Sequence, residues 1–143
     1  MLEIVGDIWD YTGTGVLVIT TNGSLTPDGR AILGRGVAKQ AALRFSGLAE
    51  KLGRIVSERG NHVINLGYGL VSFPVEETAW SIPDLPIISR SAKELRELAD
   101  AMTWQKIVVP RPGCGGGGLA WEDVKPVLMP WFDDRFIVIR QFQ

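Results

Sequence analysis

Four short segments of this chain carry residue types that can do chemistry. The densest is Pro110-Arg111-Pro112-Gly113-Cys114-Gly115-Gly116-Gly117-Gly118-Leu119, which follows the apolar run Lys106-Ile107-Val108-Val109 and precedes Ala120-Trp121-Glu122-Asp123-Val124. Four consecutive glycines cost backbone entropy on ordering, so an ordered loop keeps them for a sharp bend or a close approach. A strand that runs through glycines into a helix can aim successive backbone N–H groups at phosphate oxygens. A plain flexible surface loop is the alternative reading. The other segments are Gly6-Asp7-Ile8-Trp9, then Asn22, then Leu33-Gly34-Arg35-Gly36-Val37-Ala38, which opens a second helix. Two glycine-containing turns, each opening a helix, can surround a diphosphate with donors. Asp7 can accept from an exocyclic amine, and Asn22 can hold a sugar hydroxyl. Each also has a structural use: Asp7 as a cap, Asn22-Gly23 as a turn, and 34–36 as a helix start.

Several chemistries are excluded by what these segments lack. A P-loop places Lys-Ser or Lys-Thr after its last glycine, whereas Leu119-Ala120 stands here, which argues against NTP hydrolysis. A dinucleotide fingerprint sits at the first strand with an acidic residue about 20 positions on, whereas this loop lies near the C-terminus. His62 is the sole histidine, with no cysteine or histidine cluster near it, so no zinc site is expected. Cys114 has no base that the sequence can place beside it and reads as a small residue lining the loop.

The elements that must position these groups follow from periodicity. Strands are expected at Leu2–Ile8 and Gly15–Thr20, the latter apolar throughout as in a strand buried on both faces. Val37, Ala41 and Phe45 share one face of a helix over Gly36–Phe45, and a second helical piece spans Leu48–Glu58 and stops at Gly60. A strand pair, His62–Leu66 and Gly69–Val75, turns around Gly67-Tyr68. Ser91-Ala92-Lys93-Glu94 reads as a capping box that opens a helix through Leu95, Leu98, Ala99 and Met102. Lys106–Pro110 is the next strand, Trp121–Phe132 a helix with Pro126 one turn in, and Phe136–Phe142 the final strand. Strands alternating with helices predict an α/β three-layer domain with a mixed, mostly parallel central sheet. In such sheets ligands bind beyond the carboxyl ends of the strands, where the glycine loop lies.

Composition bounds the remaining possibilities. At 143 residues, 45% hydrophobic and 22% charged, the chain suits one domain, residues 1–143, with a real core. A formal net charge of −1 gives no global case for nucleic acid or anionic membrane, although Arg30, Arg35, Lys39 and Arg44 form a local basic cluster. One cysteine precludes an intrachain disulfide and fits a reducing cytoplasm. No secretory signal and no apolar run of about 18 residues is seen. A monomer without cofactor or metal is expected.

Taken together, the segments resemble the macrodomain family, the ADP-ribose-binding α/β module, over nearly the whole chain. The stretch Pro110–Val124 is similar to the branch of the terminal ADP-ribose protein glycohydrolases, whose loop reads Pro-Arg-x-Gly-Cys-Gly and continues to Leu-x-Trp-Glu. Gly6-Asp7-Ile8 matches the adenine-recognition turn of the family, and Gly34-x-Gly36-Val37-Ala38 its first phosphate loop. The resemblance implies that Asp7 binds the adenine amine and the Ile8 N–H meets the ring. It implies that Gly34, Arg35, Gly36 and Val37, together with Cys114, Gly115, Gly116, Gly117, Gly118 and Leu119, wrap diphosphate and distal ribose. Gly117 and Gly118 then let the backbone approach the ligand with no Cβ in the way. Asn22 aligns with the last Asn of the Asn-Ala-Ala-Asn motif, with Ile19 in place of the first.

The departures concern catalysis. Gly117 stands where the glycohydrolase branch keeps an Asp. The stretch Val71–Glu77 lacks the nucleophilic lysine of that branch, and Ala38 replaces the MacroD-branch Asp. The resemblance therefore implies an ADP-ribose or ADP-ribosyl ligand with weak turnover of carboxylate esters. Glu76, Glu77 and Asp28 are the remaining acid–base candidates by chemistry. The implied partner is ADP-ribose or an ADP-ribosylated macromolecule, with nucleic acid only as a modified acceptor. A non-catalytic reader of ADP-ribosylated partners and a nucleotide- or RNA-binding module are the competing classes.

Overall fold

The computed structural model describes residues 1–141. Its elements are β1 (Leu2–Gly6), a 3-10 turn (Ile8–Tyr11), β2 (Val16–Thr21), α1 (Gly36–Arg44), α2 (Leu48–Arg59), β3 (Ile64–Gly67), β4 (Leu70–Pro74), α3 (Leu85–Met102), β5 (Ile107–Pro110), α4 (Trp121–Leu128) and β6 (Phe136–Gln141). The strands form one six-stranded sheet in the order β1-β6-β5-β2-β4-β3. Neighbours run parallel except β3 against β4.

Alternation along the central strands explains the layers. Leu17 and Ile19 of β2, Val108 of β5 and Ile139 of β6 face one side, where Ala38 and Ala41 of α1 and Leu48 and Leu52 of α2 cover them. Val18, Ile107, Val109, Phe136 and Val138 face the other side, against Ile88, Ala92, Leu95 and Ala99 of α3 and Val124 and Leu128 of α4. Successive side chains leave a strand on opposite faces, so a strand covered on both sides must be apolar at every position. The result is the expected mixed, mostly parallel three-layer α/β/α sheet.

Several element boundaries differ from the sequence reading. β1 ends at Gly6, because Asp7 accepts the Trp9 N–H at 3.0 Å and caps the 3-10 turn that contains Ile8. Ser91-Ala92-Lys93-Glu94 is not a capping box. It lies mid-helix, where the Ser91 hydroxyl donates to the Pro74 carbonyl at 2.6 Å and the Glu94 carboxylate accepts from the Val63 N–H at 2.9 Å. Both side chains therefore tie α3 to the sheet, and the helix opens at Asp84-Leu85-Pro86 instead. Proline is tolerated in a first helical turn because its missing N–H would be orphaned there anyway. α4 stops at Leu128 rather than Phe132. β6 is described to Gln141, and Phe142 lies outside the described residues.

The ladder between β2 and β5 is short. It pairs only Val16 with Ile107 and Leu17 with Val108, so the strands part toward their carboxyl ends. The chain leaves the carboxyl end of β2 for α1 on one face and leaves that of β5, through the glycine loop, for α4 on the other. Loops that depart to opposite sides of a sheet leave a crevice between them at that switch point.

Candidate functional site

A cleft of about 760 Å³ occupies this crevice. That volume suits a ligand the size of a dinucleotide fragment. Its floor is the ends of the parallel strands: Thr20 and Thr21 of β2, Pro110 of β5, and Ile139 and Gln141 of β6. One wall is 32–38, leading into α1. The other is the glycine loop.

The glycine loop has a fixed internal geometry. Pro112 and Gly113 occupy the centre of a turn closed by the Cys114 N–H donating to the Arg111 carbonyl at 3.3 Å, with Gly113 at φ +73°. Proline then glycine with positive φ is the type II turn arrangement. The Leu119 N–H returns to the Gly113 carbonyl at 2.9 Å, and the Gly118 N–H to Gly115 at 3.3 Å. The N–H groups of Gly115, Gly116 and Gly117, three cleft-lining residues, have no partner among the described residues. Across the cleft α1 begins at Gly36 with no side-chain cap from Arg35, so its first-turn N–H groups are also open.

The glycines are not equivalent. A Cβ on Gly117 would lie 2.6 Å from Pro83 Cγ and 2.7 Å from the Gly113 carbonyl oxygen. Gly117 is thus required by the loop's own packing, and a side chain there cannot simply add a group to the cleft. Gly118 adopts φ +81° and does not line the cleft. At Gly34 and Gly115 the space around a Cβ is open and φ is ordinary. A Cβ on Gly116 would sit 3.7 Å from Arg35 Cδ, which shows the Arg35 side chain reaching across to the glycine loop.

Among the other sequence candidates, Val37, Cys114 and Leu119 line the cleft. Burial pushes the Cys114 thiol up, and its Sγ lies 3.5 Å from the Pro112 carbonyl, which suits a packed thiol rather than a nucleophile. Asn22 lines the cleft, but its amide is occupied with the local fold. Nδ2 donates to the Ile32 carbonyl at 3.1 Å, and Oδ1 accepts the Ser24 N–H at 2.9 Å. Asp7 lies in an adjoining hollow of about 340 Å³ with Trp9, Gln40, Arg44 and Gln141. Gln40 and Gln141 line both spaces and connect them. The Ile8 N–H donates to Gln141 Oε1 at 2.7 Å, so Gln141 must move before a ring could take that bond. His62 sits away from the cleft, with Nδ1 2.8 Å from Glu94.

The cationic lining residues Arg111 and Arg140 had no role in the sequence reading of the site, and Glu76, an acid–base candidate there, proves to be buried. Arg111 stacks over Trp121 at 4.7 Å and approaches Glu3 at 3.8 Å. With Arg35 and Arg140 it gives the cleft three guanidiniums against one carboxyl, a balance that favours an anionic ligand. Among the described residues no group of three potential metal ligands occurs, and no helix is long and apolar enough to cross a membrane.

Glu76 is the anomaly. Its side chain is 8% exposed, its Oε2 has no hydrogen-bond partner, and the nearest cation, Arg35, stands 3.8 Å from Oε1 with its own side chain 58% exposed. Burial raises its pKa against the smaller opposing effect of Arg35. The backbone around it is held by three bonds: Val75 N–H to Thr21 at 3.0 Å, Asn61 Nδ2 to the Glu76 carbonyl at 3.0 Å, and Gly23 N–H to the Glu77 carbonyl at 2.9 Å.

The raised pKa has a consequence for stability. The folded state holds the Glu76 proton more tightly than the unfolded chain, so stability falls as pH rises above about 4.3, the ordinary glutamate value. Glu76→Gln removes that loss. It is expected to stabilise the free protein at pH 7 by about 1 kcal/mol, because the amide is as unpaired as the carboxyl and only the cost of burying the charge is removed. Each kcal/mol corresponds to about 2–4 °C in Tm at this size. The gain should shrink toward pH 4, and thermal scans at the two pH values check it. An equal gain at both would show that the charge is not its source.

The backbone places the fold among known structures. The chain superimposes on the macrodomain of Thermus aquaticus DarG with TM-score 0.80 at 19% identity, over 98% of this chain and 97% of that one. The macrodomain of Mycobacterium tuberculosis DarG gives TM-score 0.76 at 21% identity, over 98% and 99%. Thermosipho africanus DarTG in complex with ADP-ribose gives 0.71 at 16% identity, over 90% of this chain and 38% of that one. No protein-family model and no curated relative matches the sequence. The chain has the macrodomain fold.

Proposed function

We propose that this macrodomain-fold chain binds ADP-ribose, free or attached to a macromolecule, in the cleft between 32–38 and the glycine loop. One observation carries the reading. Unpartnered N–H groups of Gly115, Gly116 and Gly117 stand opposite the uncapped start of α1, with Arg35 between them. Such donors suit the two charges of a diphosphate. Gly34, Gly36, Val37, Cys114 and Leu119 complete the walls, while the adjoining hollow with Asp7 has room for the base and leaves Asp7 Oδ2 to meet an amine. The ADP-ribose complex of the Thermosipho protein, alike in fold, supports the choice of ligand.

Charge-assisted bonds contribute about 1.5–3 kcal/mol each. Several of them give micromolar affinity, tighter than for AMP or ribose 5-phosphate, which each lose half the contacts. Calorimetric titration with the three ligands tests this. An absence of heat and of thermal shift at saturating ADP-ribose would reject the reading.

A further inference from the structure

We propose that Glu76 is the catalytic carboxyl of the cleft. It gives a proton to the acceptor atom as that atom's bond to the anomeric carbon of ADP-ribose breaks, and takes one back from the water that replaces it. The proposal rests on the ADP-ribose reading and adds to it a reaction and a class of substrate.

The geometry selects Glu76 among the acidic candidates. Asp28 lies outside the cleft, bonded to Thr26 and Arg30 at the surface. Glu77 is exposed and lines nothing, and Asp7 belongs to the adjoining hollow. Glu76 is the one carboxyl among the residues lining the main cleft, with an oxygen that nothing in the described chain satisfies. Ser91 fixes the end of β4 just before it, and three backbone bonds hold residues 75–77. Such an arrangement costs stability and gains only the long, half-exposed Arg35 pair in return, which is the pattern of a group kept for a ligand.

The chemistry follows from there being one carboxyl. Burial favours the protonated form of its carboxyl, the form that can donate, against the smaller opposing pull of Arg35. In the first step the bond between the anomeric carbon and the acceptor breaks, the bonding pair goes to the acceptor, and the Glu76 proton joins it. The carboxylate that remains faces the cationic sugar. In the second step water adds to the anomeric carbon and returns a proton to Glu76. Acceptor, ADP-ribose and the protonated carboxyl are regenerated with no other reactant. The substrate is one whose leaving atom needs that proton, a nitrogen or an alcohol oxygen. A carboxylate acceptor departs as a stable anion without that proton and so gains least from Glu76.

The test uses peptides carrying ADP-ribose on arginine, on serine or through a glutamate ester, with ADP-ribose calorimetry in parallel. Wild type is expected to release ADP-ribose from the arginine or the serine peptide. Glu76→Gln should lower that kcat about 10²–10⁴-fold, the range for one acid–base group, with KM within a few-fold. Glu76→Ala supplies the same comparison if the Gln variant fails to fold, and Glu77→Gln should keep the wild-type rate. A wild type that binds ADP-ribose yet releases none from either peptide overturns the catalytic role and leaves the ligand reading standing. A Glu76→Gln variant at the wild-type rate does the same. A wild type that binds no ADP-ribose overturns both.

Discussion

Gly115→Glu is expected to lower ADP-ribose affinity at least about 100-fold with Tm changed by no more than a degree or two. Gly115 lines the cleft, has ordinary φ, and has nothing within 4 Å of a Cβ placed on it. A side chain therefore fits the loop without strain and enters the space the ligand would use. Its carboxylate would stand where the proposed diphosphate collects N–H bonds. Losing two charge-assisted bonds at about 1.5 kcal/mol each already gives a factor of about 100, and like-charge repulsion adds to it. Gly34→Glu, on the opposite wall with equally open space, should act in the same direction. Titration and thermal scans of the two variants check the expectation. Wild-type affinity in both would move the ligand elsewhere on the molecule.

Gly115 and Gly117 also show where the sequence stops being informative. Both are letters in one run of four glycines, and the sequence reading gave Gly117 the role of letting a phosphate approach. Packing separates them. Gly117 is closed in by Pro83 and the Gly113 carbonyl, whereas Gly115 faces open space. The strand and helix faces were readable because burial on two sides of a sheet imposes a local pattern, as in Leu17-Val18-Ile19. The start of α3 was misread for a comparable reason. Ser91 and Glu94 have the spacing of a cap, yet their partners, Pro74 and Val63, are 17 and 31 residues away and invisible to any local rule. Asp84 followed by Pro86 was the better local signal.

Glu76 illustrates the same limit at the site. The sequence offers Glu76 and its neighbour Glu77 alike as acid–base candidates and does not rank them. Only the fold of the 74–84 segment buries one member and leaves the other in water. By contrast, the placing of Asp7, Asn22, Gly34–Val37 and the glycine loop at the carboxyl edge was expected from their positions after apolar strand runs and the rule for open α/β sheets. Which of their polar atoms are already occupied by Trp9, Ile32, Ser24 and Gln141 was not.

The largest loss of stability is expected from Gly53→Ala. On propensity alone this change should help, since alanine in a helix interior is favoured over glycine by about 1 kcal/mol. The structure reverses the sign. Gly53 is buried on α2, and the 29–31 turn crosses directly against it. A Cβ there would overlap the Gly29 carbonyl oxygen and lie 2.9 Å from both Ala31 N and Arg30 Cα. All three neighbours are backbone, so no side chain can swing aside. The turn is itself fixed to α2 by the Ala31 N–H donating to the Ala49 carbonyl at 2.9 Å. Relief requires the helix and turn to separate, breaking that bond and loosening Ala31, Leu48 and Leu52 from their shared core. Overpacking costs about 1–3 kcal/mol, and loss of a buried bond adds about 1 kcal/mol. Set against the propensity gain of about 1 kcal/mol, a net loss of about 1–3 kcal/mol should therefore appear in denaturant titration. Because Ile32, Leu33 and Gly34 follow the turn and line the cleft, ADP-ribose affinity should weaken with it. A Gly53→Ala variant more stable than wild type would show that the turn does not pack against α2 in solution.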